Sequence, residues 1–150
     1  MIYYYYKPID SSYLKGSYAG NFFPFGGLAT DELYLIRAEC AARAGDSNSA
    51  MADINTLLSA RWRRGAFPGY TVGSAQEALD TVLLERRKEL AFRGLRWTDL
   101  RRMNAEGANI TLTRNLNGTL YTLAPNSPLY VLPIPPDVIS LSAIAQNVRD

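Results

Sequence analysis

The sequence predicts a mainly α-helical fold, on three observations. Apolar residues recur at helical spacing in three stretches, and a short turn at Gly45 joins the first two stretches. A Ser-x-x-Glu capping box begins the third stretch at Ser74. The clearest strand signal is the Asn117-Gly118 turn, which lies between two short apolar runs. We therefore expect a helical hairpin, further helices, a small β-hairpin and long irregular loops.

Length and composition favour a single domain over residues 1–150 and narrow its chemistry. The chain has 150 residues, of which 47% are hydrophobic and 20% charged, with a net charge of +2. This balance favours neither a nucleic-acid nor a membrane-surface partner. Histidine is absent and Cys40 is the only cysteine, which excludes serine–histidine and cysteine–histidine catalysis, an internal disulfide and cysteine-based zinc sites. We expect no metal or cofactor, and we expect Cys40 to pack as a small core residue.

Residues 1–29 are predicted to be an irregular, aromatic-rich lead-in. Four consecutive tyrosines at positions 3–6 are compatible with a short strand, and the remainder is rich in glycine and proline without a sustained period. The N-terminus lacks the residue order of a signal peptide, and no apolar run reaches the roughly 18 residues that span a bilayer. We interpret the chain as a piece of a larger protein.

The first two helices are expected over residues 31–44 and 48–60, with Thr30 and Ser47 as their N-caps. Small residues at positions 38, 42, 50 and 52 should let the helices approach closely, and the pair resembles a tetratricopeptide-type hairpin. The residues predicted to face the core are Leu33, Ile36, Cys40, Ala41 and Ala44 in the first helix and Met51, Ile54, Leu57 and Leu58 in the second.

The capping box at Ser74 predicts a third helix over residues 75–93 that stops at Gly94. A shorter helix should follow over residues 96–104. The Asn-Gly turn predicts strands over residues 110–113 and 120–123. In the proline-rich tail, a short helix is expected to begin at Asp137, after Pro135 and Pro136.

The stretch ERRKELAFRGLRWTDLRR, residues 85–102, carries a concentration of charge that must be explained. Helical spacing places Arg86 on the side of the core stripe, and Glu89 lies one turn from it, within reach of Arg86 and Arg93. A buried arginine requires a carboxylate partner. We therefore predict a structural ion-pair cluster that joins the third helix to the fourth, formed by Glu85, Arg86, Glu89, Arg96 and Asp99.

Three functional interpretations of the same stretch compete with the structural one. It could be a partner-binding face. A nucleic-acid site is disfavoured because acidic residues interrupt the basic ones and no aromatic platform alternates with them. A catalytic pair of Glu85 and Glu89 is geometrically possible, but no sugar-binding cleft is predicted on a mid-helix face.

This stretch, together with the tail, resembles the C-terminal part of the SusD/RagB family. There a Glu-Arg-Arg run leads into Glu-Leu-Ala-Phe, a glycine and Arg-Trp-x-Asp-Leu-x-Arg. The matching positions are Glu85, Arg86, Arg87, Glu89, Leu90, Ala91, Phe92, Gly94, Arg96, Trp97, Asp99, Leu100 and Arg102. The Arg-Ala-Glu step at 37–39, Pro-Ile-Pro at 133–135 and Gln-Asn at 146–147 also match, so the resemblance covers residues 30–147. The chain departs from the pattern at Arg93, where the family usually carries glutamate.

The resemblance implies that the chain is a fragment of a SusD-like α–α superhelix. It also implies a glycan-binding function. Family members are non-catalytic, glycan-binding lipoproteins on the outer face of the outer membrane, where they capture oligosaccharides for a SusC-like TonB-dependent transporter. For this chain, the resemblance therefore implies an outer-membrane, cell-surface location and no enzymatic activity. The implied partners are an oligosaccharide or polysaccharide and a SusC-like transporter. The lipid anchor that would hold such a protein at the membrane is absent from this sequence. The alternative is a helical protein-interaction module or scaffold with no sugar site of its own.

Sugars bind to flat aromatic faces beside amides and charges, which selects a few candidate ligand-binding residues. Trp62 and Tyr70 lie in the long loop after the second helix, and Asn115, Asn117 and Tyr121 lie on the predicted hairpin. The alternative for Trp62 and Tyr70 is that they cover the helical hairpin. Trp97, inside the charged motif, is expected to be a core residue.

Overall fold

The computed structural model describes residues 4–6, 12–14 and 25–149, with side chains described for residues 25–149. The chain divides into two compact units, Met1–Arg96 and Trp97–Asp150. The first unit begins with strands β1 (Tyr4–Tyr6) and β2 (Ser12–Leu14), which pair antiparallel. A strand therefore does form within the tyrosine run.

Three helices form the body of the first unit: α1 (Thr30–Arg43), α2 (Ser47–Ser59) and α3 (Ala75–Glu89). The first two are joined by a tight turn in which Gly45 has φ +87°, a conformation that favours glycine. Helix α1 packs against both of the others. The predicted mainly helical fold is confirmed. The core consists of Leu35, Ala38, Ala42, Ala50, Met51, Ile54, Leu57, Leu58, Ala78, Val82 and Leu90.

The predicted buried face of α1 is wrong for four of its five residues, since only Ala41 packs against the core, whereas the predicted face of α2 is confirmed. Cys40 and Ala44 are exposed, and Leu33 and Ile36 are 62% and 45% exposed. Helix α1 has apolar residues on two faces, and the face that packs includes Leu35 and two alanines at positions 38 and 42. Small side chains there let α1 approach its neighbours closely, and this advantage outweighs the larger residues of the other face.

The helix boundaries follow the local chemistry with small shifts from the prediction. Helix α1 begins one residue early, after Ala29, so Thr30 is not its N-cap. The N-cap of α2 is Asp46, not Ser47, and its carboxylate accepts a hydrogen bond from the Ser49 amide at 3.0 Å. The Ser74 hydroxyl caps α3 as predicted, accepting from the Glu77 amide at 3.1 Å.

Helix α3 ends four residues earlier than predicted. Leu90 follows its last turn and is buried at 5% exposure, and Phe92 adopts a left-handed backbone with φ +63°. A helix cannot continue through a left-handed residue, so the chain turns before Gly94, which has φ +75°. This turn is what brings Arg93 back toward α1.

The second unit contains helix α4 (Arg96–Ala105), strands β3 (Leu112–Leu116) and β4 (Thr119–Leu123), a 3₁₀ turn (Pro128–Tyr130) and helix α5 (Pro136–Ser142). The strands pair antiparallel, with Leu116 opposite Thr119. Asn117 and Gly118 have φ values of +50° and +85°. Positive φ at both central residues is typical of the type I′ turn predicted from the Asn-Gly pair.

Amide side chains clasp the backbone at three places, each donating to the C=O and accepting from the N–H of one residue. Asn55 holds Tyr70 in the first unit, at 2.7 and 3.0 Å. In the second unit, Asn104 holds Ile110 at 2.6 and 3.0 Å, and Gln146 holds Ile134 at 2.9 and 3.0 Å. Each of these side chains supplies hydrogen bonds to the N–H and C=O of a residue in irregular backbone, which has no partner strand.

Candidate functional site

Three aromatic side chains stack in sequence on the segment between α2 and α3, here called the aromatic loop (residues 61–73). The Trp62 and Phe67 ring centroids are 5.5 Å apart, and Phe67 meets Tyr70 edge-on at 5.8 Å. Phe67 and Tyr70 are half-buried against the helical core, whereas Trp62 is 51% exposed. The loop therefore presents one indole on an aromatic base.

Tyr70 is fixed in place on both its backbone and its side chain. Its amide and carbonyl are clasped by Asn55, and its hydroxyl donates to Oε1 of Glu85 at 3.2 Å. These contacts support the interpretation that Tyr70 covers the helices. They also make the surface under Trp62 rigid, and Arg63 and Arg64 beside it are exposed. Rigid exposed aromatics with neighbouring donors are suited to ligand binding.

The three hairpin candidates divide between turn and strand roles. The Asn115 side chain accepts a hydrogen bond from the Gly118 amide at 3.0 Å, and Asn117 has the positive φ that the turn requires. Both asparagines are thus engaged in turn formation. Tyr121 is 56% exposed and lies opposite Arg114 in the sheet. An exposed ring with a cross-strand guanidinium remains a candidate contact, and its role stays a prediction.

Two of the charged residues of α3, Arg86 and Glu89, pair with side chains outside the helix, whereas Glu85 pairs within it. The Glu89 carboxylate accepts from Arg61 of the aromatic loop, with Nη2–Oε1 at 2.5 Å. Glu85 binds Lys88 at 2.6 Å, and Arg86 approaches Glu32 of α1 at 3.9 Å. Helical spacing showed that these charged residues lie close together on α3. It could not show that side chains from the aromatic loop and from α1 would also reach them.

Arg93, the departure from the family pattern, lies at the centre of the buried charges. Its side chain is 4% exposed, and its Nη1 is 3.7 Å from Oδ1 of Asp31, which is 2% exposed. Its Nη2 lies 3.3 Å from Glu32 and donates to the Gly27 carbonyl at 2.7 Å. The guanidinium also sits 5.1 Å from the Phe25 ring centroid.

Sequence reasoning missed Asp31 and Glu32 as partners of these arginines. Acidic residues in the first turn of a helix are usually explained by the helix dipole alone, and both residues lie in the first turn of α1. A signal was available, because residues 85–93 hold three arginines and a lysine but only two carboxylates, so a buried arginine there needs a partner from elsewhere in the chain. The cluster ties the start of α1 to the end of α3 and to the aromatic loop, which is a structural role.

The remaining cluster candidates, Arg96 and Asp99, lie at the start of α4. Asp99 is buried and accepts from Nε of Arg102 at 3.0 Å, one turn along the same helix. The predicted link from these residues to α3 stays a prediction. Trp97 is 37% exposed rather than a core residue, and its Nε1 donates to the Tyr130 carbonyl at 3.0 Å.

Within residues 25–149, no group of three or more acidic, cysteine or histidine side chains is placed to hold a metal ion. Among the helices that the structure describes, none has both the length and the apolar character needed to cross a bilayer.

Comparisons with known proteins agree with the helical fold and the charged signature. The model of the SusD family matches residues 3–148. A SusD-like carbohydrate-binding protein from Bacteroides vulgatus is 27% identical, with a TM-score of 0.52 over 77% of this chain and 28% of its own length. A SusD-like protein from Bacteroides fragilis is 26% identical, with a TM-score of 0.53 over 85% of this chain and 28% of its own. No curated protein matches.

The chain is mainly helical, carries the charged signature and the proline-rich tail, and matches the family model over nearly its full length. The chain belongs to the SusD family. It spans 28% of the length of each of the two solved structures just described. Family membership is thereby established, whereas the functions of the longer relatives are a matter for proposal.

Proposed function

We propose that this chain is part of a non-catalytic glycan-binding protein, and that Trp62 on the aromatic loop contacts the sugar. The observation that carries the proposal is the exposure of this one indole on a base of two packed rings. The half-buried base holds the indole in place, so little side-chain freedom is lost on binding. Sugar rings have an apolar face that packs on such a surface, and their hydroxyls reach neighbouring donors.

The family supports two further parts of the proposal. One solved relative is described as a carbohydrate-binding protein, which supports an oligosaccharide or polysaccharide as the ligand. A SusC-like TonB-dependent transporter as partner and an outer-membrane, cell-surface location follow from the family resemblance of the charged signature and tail. In that role the chain captures oligosaccharide and delivers it for uptake.

The absence of catalysis is part of the same proposal. Glu85 and Glu89, the carboxylates that could form a hydrolytic pair, are held by Lys88 and Arg61 at 2.6 and 2.5 Å. Carboxylates engaged in ion pairs of this kind serve the packing of α3. In a folded chain, Glu85→Gln or Glu89→Gln should lower stability and leave glycan binding intact.

The second candidate function is a protein-interaction scaffold, and the exposed face of α1 favours it. Leu33 and Ile36 line an apolar groove of about 490 Å³ together with Tyr34. An apolar partner surface needs such a face. Replacing both residues by serine should abolish any self-association seen by size-exclusion chromatography with light scattering, whereas a strictly monomeric parent chain would contradict this function for self-assembly.

Calorimetric titration of the purified chain against a panel of neutral oligosaccharides tests the first proposal. Trp62→Ala should weaken binding at least about tenfold, equivalent to about 1.4 kcal/mol, because stacking and apolar contact are both lost. Phe92→Asn is the matched control. It removes an exposed ring from the same unit, and asparagine tolerates the left-handed backbone at that position.

The outcomes separate the two functions. Binding that is lost in Trp62→Ala and kept in Phe92→Asn supports the glycan site on the aromatic loop. A folded chain that binds no member of the panel contradicts that site and leaves the scaffold function. Binding that survives in Trp62→Ala and is lost in Tyr121→Ala would move the site to the hairpin.

A further inference from the structure

Helix α2 is attached to the aromatic loop at two points. At the start of the loop, the Leu58 carbonyl accepts hydrogen bonds from the amides of Arg61 and Trp62 at 2.8 and 3.2 Å. One turn earlier in the helix, the Asn55 side chain accepts from the Tyr70 amide at 2.7 Å and donates to the Tyr70 carbonyl at 3.0 Å. The backbones of the first and last rings of the aromatic stack are therefore both held by α2.

The Pro68-Gly69 turn shows what Asn55 does for the loop. Gly69 has φ +78°, and a proline followed by a residue with positive φ is typical of the central pair of a type II turn. The turn brings the Phe67 and Tyr70 rings into edge-on contact at 5.8 Å. The amide of Tyr70, the residue that follows the turn, donates to Asn55. A side chain of α2 thus fixes the end of the turn that carries the Tyr70 ring.

Phe67 passes this restraint to Trp62, because it contacts both other rings of the stack. Its centroid is 5.8 Å from that of Tyr70 and 5.5 Å from that of Trp62. Between Trp62 and Phe67 the chain reverses, and the Ala66 amide donates to the Arg63 carbonyl at 2.9 Å. Because the indole is 51% exposed, these ring contacts restrain its orientation more than burial does.

The hydroxyl contact of Tyr70 does not replace Asn55. The hydroxyl donates to Oε1 of Glu85 at 3.2 Å, and the same oxygen accepts from Lys88 at 2.6 Å. This longer hydrogen bond restrains the tip of the Tyr70 ring, whereas Asn55 fixes the backbone from which the ring projects. Without Asn55, the Tyr70 amide and carbonyl would lose both of these partners, and the turn would gain freedom to move.

We propose that Asn55 is a positioning residue of the sugar site: it fixes Tyr70 and, through Phe67, holds the Trp62 indole in its binding orientation. The inference rests on the proposed glycan-binding function and deepens it, because it gives α2 a role in affinity in addition to packing. A side chain that is already ordered loses less conformational freedom when a ligand binds. Affinity for sugar should therefore depend on a residue that lies on the helix beneath the loop.

The test combines two measurements on the whole chain carrying Trp97→Phe, in which Trp62 is the sole indole. Fluorescence anisotropy without sugar reports the mobility of the indole. Calorimetric titration with the neutral oligosaccharide that the parent chain binds reports affinity. Asn55→Ala should lower the anisotropy and weaken binding roughly fivefold, because the indole must then be ordered when the sugar binds.

Gly69→Ala is a second variant, which perturbs the same restraint without changing α2. Alanine is strained at φ +78°, and its Cβ would lie 4.0 Å from Nδ2 of Asn55, which is an ordinary contact. The effect therefore comes from the backbone of the turn and not from a steric clash. Both the anisotropy and the affinity should fall in this variant, as in Asn55→Ala.

Asn104→Ala is the matched control, because Asn104 makes the same pair of hydrogen bonds to Ile110 in the second unit. It should lower the melting temperature and leave the anisotropy and the affinity unchanged. Unchanged anisotropy or unchanged affinity in folded Asn55→Ala overturns the inference. Equal losses in Asn55→Ala and Asn104→Ala also overturn it, since they would reflect general destabilisation. If Asn55→Ala does not fold, the same criteria apply to Gly69→Ala.

Failure of this inference is distinguishable from failure of the proposed function. Sugar binding that is lost in Trp62→Ala and fully kept in Asn55→Ala contradicts the positioning role alone. A folded parent chain that binds no sugar contradicts the proposed function, and with it the role of Asn55 in that function.

Discussion

Each of the two units of the chain is stabilised in a different way. The first unit has a continuous apolar core of eleven buried side chains from its three helices and the turn after them. In the second unit no residue of β3 or β4 is fully buried, and α5 has no buried residue. The apolar core of this unit is small and includes Leu100, Met103 and Tyr130, and hydrogen bonds from amide side chains hold much of its irregular backbone. The comparison shows that one SusD-family chain combines a helical body with a large apolar core and a region that depends more on polar contacts.

Hydrogen bonds near the end of the second unit explain part of the family signature. Gln146 clasps Ile134, the Asn147 amide donates to the Leu132 carbonyl at 2.8 Å, and the Arg149 guanidinium donates to the Val131 carbonyl. The terminal Gln-Asn pair thus fixes the proline-rich segment at Pro-Ile-Pro. Proline supplies no N–H, so the segment depends on side chains for its remaining backbone bonds.

The largest effect should come from Arg93, because its removal leaves the buried Asp31 carboxylate with a weaker set of partners. Arg93→Met should lower the free energy of unfolding by about 4 kcal/mol, as expected for breaking a buried ion pair. Chemical denaturation measures it. Arg87→Met, at an exposed position in α3, is the control and should change little. Equal effects of the two substitutions would contradict a buried cluster.

Apolar packing in the first unit should show the next largest effect. Leu35→Ala should lower the free energy of unfolding by about 3 kcal/mol, because Leu35 is fully buried and its truncation leaves a cavity. Leu33→Ala, two residues away and 62% exposed, should cost less than about 0.5 kcal/mol. Thermal or denaturant melts of both variants measure the difference. A larger loss for Leu33 would mean that α1 packs through its other face.

A smaller effect is expected from the amide clasps. Asn104→Asp converts the group that donates to the Ile110 carbonyl into a second acceptor and should cost about 2 kcal/mol, because Asn104 is 1% exposed. Gln146→Glu makes the same change at an exposed clasp and should cost less than about 1 kcal/mol, since water can compensate. Denaturant melts of the two variants measure each cost separately. Similar costs at both sites would show that burial does not govern the clasps.

The smallest effect is a pH dependence at the N-cap of α2. The hydrogen bonds from Ser49 lower the pKa of Asp46 from its ordinary value of 3.8. A carboxyl with a lowered folded-state pKa stabilises the fold above its unfolded pKa, and the contribution is lost as the pH falls through the folded value. Stability should therefore fall on acidification below about pH 4. Asp46→Asn should keep the cap and reduce this part of the pH dependence, as measured by denaturant melts at several pH values.

The sequence predicted the features that depend on neighbouring residues better than those that depend on tertiary contacts. Local signals located helices α1 to α5 and the hairpin turn, because caps, glycine stops and the Asn-Gly pair act through neighbouring residues. The packed face of α1 was missed because two apolar stripes compete, and tertiary contact decides between Leu33 and Leu35. The partners of Arg61 and Arg93 were missed for the same reason, since Glu89 lies far from Arg61, and Asp31 far from Arg93, in the sequence. Trp62 and Tyr70 lie on one loop, as predicted, but their different exposure depends on packing, and their contact with sugar stays a prediction.

The central claim, that Trp62 contacts sugar, is tested most directly by tryptophan fluorescence, because the chain has only two tryptophans. Trp97→Phe leaves Trp62 as the sole indole, and Trp62→Phe leaves Trp97. Titration with a neutral oligosaccharide found by calorimetry should shift the emission of the chain that retains Trp62 and leave the emission of the other unchanged. An emission change confined to the chain that retains Trp97, or no change in either chain while calorimetry records binding, would contradict the claim.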